Sequence, residues 1–276
     1  MEWTTVAAHG VATAALSLAW KAAITAAVVI GVALLAERAN AVLAAVLMGL
    51  PISIGPALAL LATTHGEPFV IESARYALAS VFGVLAFLVT YVHAARYTGL
   101  WGCLIAGYSA WLSAALAVGH LPLSIPGALG IAVAGLLLTR LTMPRRAPPA
   151  LSSDPHPLRF IIVRGVLAGL AVATVVTAGR ALGPALAGLF ASFPVIFGTA
   201  AWMLATLGNN DLATATLSHA DRGMTSFISF CFCFAVLAPV VSVWPALGIS
   251  LLISVLVSVG LVMRLKHTSA TGSPKT

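Results

Sequence analysis

Three prolines interrupt apolar stretches in which a continuous helix would otherwise be expected. Pro51 and Pro56 lie in LMGLPISIGPALALLATTHGEPF, residues 47–69, and Pro194 lies in AGLFASFPVIFG. A proline inside a helix removes a backbone hydrogen bond and clashes with the preceding turn. At membrane depth the freed carbonyl must find water, a side chain or a ligand. We therefore predict a substrate pathway along these breaks, with a simple packing kink as the alternative; its residues are Pro51, Ser53, Gly55, Pro56, Ser192, Pro194, Gly198 and Thr199.

Two basic residues, Lys21 and Arg164, lie inside long apolar runs. Lys21 has no acidic residue within one or two helical turns, since Glu37 is about 24 Å away along a helix that rises 1.5 Å per residue. Unpaired bases that face a cavity favour an anionic ligand or a lipid phosphate. The alternative is that each base marks the end of a span.

Charged residues follow the prolines in both halves of the chain. Glu72 and Arg75 are three positions apart and would pair on one face of a helix. We expect these charges either to solvate loops and helix ends or to act as gating charges on the two sides of a membrane. The set comprises Glu67, Glu72, Arg75, Asp211, Asp221 and Arg222.

The motifs of common enzyme and metal sites are missing from the sequence. It has no HExxH, Walker or GxSxG motif, and Cys231 and Cys233 are two positions apart, so they do not face each other on a helix. We predict no enzymatic activity, no cofactor and no metal site.

The elements that carry these residues belong to an integral membrane protein. Hydrophobic residues make up 61% of the chain and charged residues 8%, and mean hydropathy is +1.06. A soluble domain has about 25% charged residues. The net charge of +7 comes from Lys and Arg between or beside apolar runs, as in cytoplasmic loops, and not from a nucleic-acid surface. The lipid bilayer is therefore the first expected partner.

Apolar runs of membrane length predict an all-α fold of about nine transmembrane helices, because a span needs about 20 residues. A Pro- and Ser-rich segment at 142–158 reads as a connector. The runs are 11–36, 40–63, 74–97, 100–119, 123–141, 160–181, 183–207, 223–243 and 245–264.

The distribution of Lys and Arg predicts a cytoplasmic C-terminus and, with nine spans, an N-terminus outside. A count of eight, in which 123–141 does not cross, fits the charges equally well. We favour nine because 123–141 is uncharged before Arg140 and long enough to cross.

An offset of 143 positions aligns PISIGPALALLAT (51–63) with PVIFGTAAWMLAT (194–206). The same offset pairs Lys21 with Arg164 and Gly55 with Gly198. This predicts two four-helix repeats, 11–121 and 159–266, joined by a linker span and connector at 122–158 and followed by a disordered tail at 267–276. If the linker span crosses, the second repeat is inverted, and matching broken spans indicate a midplane site.

The repeat motifs suggest a family. A base in the first span is followed by a second span of the pattern AVLMGLPISIG or AGLFASFPVIFG. This combination resembles the GlpM-like family of small four-span bacterial inner-membrane proteins, and the chain is similar to two such units fused through an extra span. The resemblance implies a bacterial inner-membrane location and a link to envelope or polysaccharide physiology, but no mechanism.

Two functions remain open at this stage. The first is a transporter or flippase that moves a small, anionic solute through a midplane site between the broken helices. The second is a non-transporting scaffold or assembly factor of an envelope or polysaccharide pathway. The corresponding partners are the small solute, a second copy of the chain or an envelope-pathway protein.

Overall fold

The computed structural model describes residues 2–38, 51–146, 158–207 and 210–271. Within these ranges every regular element is a helix. In chain order they are α1 (Glu2–Arg38), α2 (Ile54–His65), α3 (Glu67–Ala79), α4 (Val81–Ala94), α5 (Leu100–Gly119), α6 (Ile125–Thr142), α7 (Leu158–Ala191), α8 (Val195–Leu207), α9 (Asn210–Leu217), α10 (Asp221–Val241) and α11 (Val243–Thr271).

Seven stretches of these helices are long and apolar enough to cross a membrane: Leu16–Leu35, Glu67–Ala94, Leu100–Gly119, Ile125–Thr142, Leu158–Ala191, Asp221–Val241 and Val243–Arg264. Their outer surfaces carry large apolar side chains; Leu141 is 84% exposed and Val240 79% exposed. Contiguous apolar surface of this kind is unfavourable in water and suits lipid. The predicted all-α integral membrane fold is thus confirmed, and the protein is multi-pass.

The remaining two predicted spans, 40–63 and 183–207, contain the shorter helices α2 and α8. α8 follows a short non-helical segment after α7, and α2 follows residues 51–53, which are not helical. Residues 40–50, the first part of the predicted span 40–63, lie outside the described residues. A non-helical segment therefore occurs at each of the two prolines, Pro51 and Pro194.

α7 lies centrally and contacts α1, α2, α3, α5 and α8. It contains a kink at Gly183, whose φ of 72° and ψ of 165° are not helical. Positive φ is easily adopted by glycine, and Pro184 follows directly. The predicted boundary between runs 160–181 and 183–207 coincides with this kink.

The α1–α7 interface is built from small residues. A Cβ added at Gly165 would meet the carbonyl oxygen of Ala26, and one added at Gly169 would meet that of Ala22. Small residues four positions apart let two membrane helices approach closely. The buried stripe of α1 formed by Lys21, Thr25 and Val29 has the same four-residue spacing.

Serine hydroxyls join α10 to α11. Ser226 Oγ donates to the carbonyl oxygen of Ser254 at 2.7 Å, and Ser258 Oγ donates to Ser226 Oγ at 2.8 Å. All three serines are buried. The bonds satisfy polar groups that would otherwise be unpaired in an apolar environment. α11 continues to Thr271, within the predicted disordered segment 267–276, and 272–276 lie outside the described part.

Candidate functional site

The two proline breaks have the same local backbone geometry. The amide of Gly55 donates to the carbonyl oxygen of Pro51 at 3.1 Å, and the amide of Gly198 donates to that of Pro194 at 3.0 Å. Pro51 and Pro194 are both buried. Each proline thus lies just before a short helix, α2 or α8, and its carbonyl accepts one of the first amides of that helix.

Pro56 does not break a helix. It lies in the first turn of α2, where a missing N–H removes no helical hydrogen bond. The carbonyl that Pro194 frees, that of Phe190, accepts from the amide of Phe193 at 2.9 Å. Thr199 donates to the carbonyl of Val195 at 2.7 Å. These predicted pathway groups therefore have internal partners.

A cavity of about 290 Å³ lies between the two breaks. Both breaks contribute to its wall, together with Val84 of α4, Arg164 of α7 and the turn that joins α9 to α10. The lining residues are Ile52, Ser53, Val84, Arg164, Ser192, Phe193, Pro194, Ile196, Phe197, Ala200, Thr216, Leu217, His219, Ala220, Gly223, Met224 and Phe227. Four predicted residues, Ser53, Ser192, Pro194 and Arg164, meet here.

Three side chains in this wall contain a buried polar atom without a hydrogen-bond partner among the described residues. They are Arg164, through Nε, Ser192, through Oγ, and His219, through Nδ1. Buried polar groups are normally paired, so unpaired groups that collect around one cavity indicate a place for a polar ligand. Arg164 also forms no ion pair with any described residue.

Lys21 does not line the cavity. It is only 3% exposed on the face of α1 that packs on α7, and its Nζ lies 5.9 Å from the centroid of the Trp20 ring. The two bases that align in the sequence therefore differ in environment. Pro51, Gly55, Pro56, Gly198 and Thr199 also lie outside the cavity lining.

Aromatic side chains of α5 support the second break. The Tyr108 ring stacks on Phe193 with centroids 5.1 Å apart, and Trp111 meets the edges of Phe190 and Phe193 at 5.1 and 4.8 Å. Gly198 lies against the Tyr108 hydroxyl so closely that an added Cβ would clash with it. Gly198 is therefore needed for packing, which fixes the position of the break.

The end of the cavity formed by the α9–α10 turn is tied to the segment after α6 by an ion pair. Arg145 donates two hydrogen bonds to the buried carboxylate of Asp221, at 2.6 and 3.0 Å, and a third to the Ser218 carbonyl. The bond to Asp221 raises the pKa of the Arg145 guanidinium, although partial burial opposes this. Arg140 Nε lies 3.8 Å from the same carboxylate.

Arg146 makes two further contacts at this turn. Its guanidinium lies 3.4 Å from Asp211, which is exposed, and its carbonyl oxygen lies 3.1 Å from His219 Nε2. Since a carbonyl oxygen only accepts, Nε2 carries the proton of this contact. The segment 143–146 thus holds one wall of the cavity in place.

The remaining predicted gating charges are not brought together. Glu67, Glu72 and Arg75 lie on α3 and not in a loop, and no ion pair joins Glu72 to Arg75. Glu67 accepts a hydrogen bond at 3.5 Å from the amide of Val243. Arg222 follows Asp221 and is exposed, and it forms no ion pair with any described residue.

His219 and Arg145 were missed by the sequence reasoning. Their contacts join residues more than seventy positions apart, so local spacing carries no signal for them. The small residues Ala22, Ala26, Gly165 and Gly169 did carry a signal, since glycine or alanine at a spacing of four is typical of close helix pairs in membranes.

No protein family model matches the chain, and no curated protein sequence or solved structure is significantly similar to it. The resemblance to GlpM-like proteins therefore stays a prediction.

Proposed function

We propose that this multi-pass protein is a bacterial inner-membrane transporter or flippase that moves a small anionic solute through a site between its two broken spans. The observation that carries the proposal is the 290 Å³ cavity, whose wall contains both breaks, Ile52–Ser53 and Ser192–Pro194, and the unpaired base Arg164. A ligand site of this kind, at paired broken helices, is typical of transporters built from repeats.

Helix boundaries support a duplicated unit. α5 starts at Leu100 and α11 at Val243. This pair has the offset of 143 positions that aligns Pro51 with Pro194 in the sequence. Four-helix repeats at 11–121 and 159–266 explain this coincidence without any gap.

Contacts between α1 and α7 support an inverted relation of the repeats. Ala22 and Gly165 are equivalent under the offset, as are Ala26 and Gly169. The contacts are Ala22 with Gly169 and Ala26 with Gly165, which is the reciprocal pattern of a two-fold axis. As the residue number increases along α1, the number of the contacted residue on α7 decreases. The two helices are therefore antiparallel, and the two-fold axis is perpendicular to them.

Contacts near the helix ends favour nine spans over eight. Tyr91, near the end of α4, donates to Asn210 Oδ1 at 2.9 Å, and Glu67 contacts the amide of Val243. With nine crossings each pair lies on one side of the membrane, whereas with eight each pair would be on opposite sides. Nine crossings put the two termini on opposite sides, and the distribution of Lys and Arg then favours a cytoplasmic C-terminus and an N-terminus outside.

The cavity is asymmetric in a way that suits alternating access. Thr216, Ala220 and Gly223 line it and are partly exposed, but the residues at the equivalent positions of the first repeat are at most 2% exposed. Those residues are Ser73, Ala77 and Ser80. We propose that the described state is open on the side of the connector 142–158 and closed on the other.

Flux measurements in proteoliposomes test the proposal. Protein with Arg164→Gln should lose most uptake of small radiolabelled anions, whereas Arg222→Gln, which removes an exposed arginine outside the cavity, should retain it. Fluorescence of a labelled lipid in the outer leaflet tests the flippase form. Rates of uptake and lipid exchange equal to those of protein-free liposomes, for every anion and lipid tested, would refute transport and favour the scaffold function.

A further inference from the structure

We infer that the cavity selects a soluble organic anion with a single negative charge and an apolar body, such as an aromatic monocarboxylate. The inference rests on the proposed function only in taking this cavity as the solute site. Beyond the proposed function, it specifies the chemical class of solute that the site accepts.

The charge of the site limits the charge of the ligand. Among the described residues that line the cavity, Arg164 is the only arginine or lysine, and none carries a carboxylate. The nearby arginines are engaged elsewhere: Arg145 with Asp221 and Arg146 with Asp211. One guanidinium balances one negative charge, and a second charge would be left unpaired in an apolar wall, which is costly.

The rest of the wall is apolar and aromatic. Phe193, Phe197, Phe227, Met224 and Ile196 surround the polar groups. An inorganic ion would leave this surface without a partner, whereas the body of an organic acid covers it. The volume lies at the lower end of the range for small-molecule sites, about 300–1,000 Å³, so a single ring or a short branched chain is the size expected.

Two further groups orient the ligand. Ser192 is 4% exposed and its Oγ has no partner, so its hydroxyl can donate to the anion. His219 Nε2 lies 3.1 Å from the carbonyl oxygen of Arg146, and in the tautomer with its proton on Nε2, Nδ1 is an acceptor that has no partner among the described residues. A ligand hydroxyl that donates to Nδ1 would therefore strengthen binding.

The source of the anion follows from the position of the polar end. His219 contacts the segment 143–146, which carries Arg145 and Arg146 at the end of α6. This end of the cavity therefore adjoins the charged segment 143–146, which follows the end of a membrane-spanning helix. Since charged segments at the ends of such helices lie in water, a soluble anion reaches this end more directly than a lipid phosphate does.

Equilibrium binding to the purified full-length protein in nanodiscs tests the inference. The probe is radiolabelled 4-hydroxybenzoate, with unlabelled benzoate, benzyl alcohol, phthalate and inorganic phosphate as competitors. Benzoate should compete, whereas the neutral alcohol, the dianion and phosphate should each be at least about tenfold weaker, because a hydrogen bond to a charged group is worth about that factor or more.

Variants separate the roles of the polar groups. Arg164→Gln should weaken binding by about 10- to 100-fold, Arg164→Lys by less, and the exposed control Arg222→Gln not at all. Ser192→Ala should cost a few-fold for both acids, and His219→Ala should abolish the preference for 4-hydroxybenzoate over benzoate. Retention of the native thermal unfolding profile shows that a variant is folded.

Several results would overturn the inference. Equal binding of phthalate or phosphate would remove the single-charge and apolar-body requirements, and unchanged binding by Arg164→Gln would remove the anion contact. Loss of binding in nanodiscs that contain phosphatidylglycerol, compared with phosphatidylcholine alone, would assign the cavity to lipid. Specific binding without flux would support the inference and refute transport. Flux of cations alone would support transport but refute both the anionic solute and this inference.

Discussion

Alanine in place of Arg145 is expected to destabilise the protein more than loss of any other arginine of the connector. Asp221 is the first residue of α10. Its side chain is 1% exposed and accepts two hydrogen bonds from Arg145. Removal of one partner of a buried pair costs about 3–5 kcal/mol, because a buried charge is left behind. Arg145 is itself 36% exposed, and Arg140 Nε lies 3.8 Å from the carboxylate. Solvent and Arg140 therefore compensate in part, and we expect about 2–3 kcal/mol.

A double-mutant cycle isolates the interaction. Single and double alanine variants of Arg145 and Asp221 should give a coupling free energy of about 2 kcal/mol. The matched control is the pair Arg146–Asp211, whose atoms are 3.4 Å apart but whose carboxylate is 77% exposed. Exposed pairs are worth about 0–1 kcal/mol and weaken with salt, so this coupling should be smaller and salt-dependent.

Unfolding in mixed detergent micelles supplies the free energies. Cys103 and Cys231 are buried and unpaired, so reaction with a fluorogenic maleimide reports exposure of the core. Equal couplings for the two pairs, or a value near zero for Arg145–Asp221, would refute the argument that burial makes this ion pair strong. Flux measured on the same variants would show whether the α9–α10 turn must stay fixed for transport.

The remaining predictions concern packing and topology. Gly198→Ala should cost about 1–3 kcal/mol of stability because the added methyl group meets Tyr108. Gly55→Ala, at the equivalent position with open space around it, should be neutral or stabilising by up to about 1 kcal/mol. Equal shifts of the thermal unfolding temperature for the two variants would contradict this. Gly169→Val should force α1 away from α7. The expected readouts are a reduced yield of folded protein and a lower unfolding temperature. Cysteines at positions 98 and 120, in a background without native cysteines, should react with impermeant maleimide from opposite sides of the membrane, and labelling from one side would contradict a crossing by α5.

The long apolar runs and the proline breaks were predictable because both depend on local chemistry. Span length follows from hydropathy, and Pro51 and Pro194 limit the backbone wherever they occur. Pro56 shows the limit of this reasoning, since its effect depends on where the helix begins. The sequence placed it in mid-span, but α2 starts at Ile54, so Pro56 falls in a first turn that tolerates it.

The polar site was only partly predictable because its residues are distant in the chain. Arg164 and Ser192 could be selected from their apolar surroundings. No local pattern pointed to His219, because only the contact of the α9–α10 turn with the segment after α6 brings it to the cavity. Glu72 and Arg75 show the converse: they have helical spacing on α3, but no ion pair joins them.

The different environments of Lys21 and Arg164 bear on how a duplicated protein could work. Equivalent residues of an inverted repeat would have equal surroundings if the two halves had the same conformation. Instead Arg164 lines a cavity, while Lys21 is packed at 3% exposure. Since two packed arrangements of similar stability can interconvert, exchange of conformations between the repeats would move Lys21 to the wall of a cavity on the other side. Arg164 would then serve the connector side and Lys21 the opposite side, so Lys21→Gln should impair release or entry at that side while binding measured at the connector side is kept.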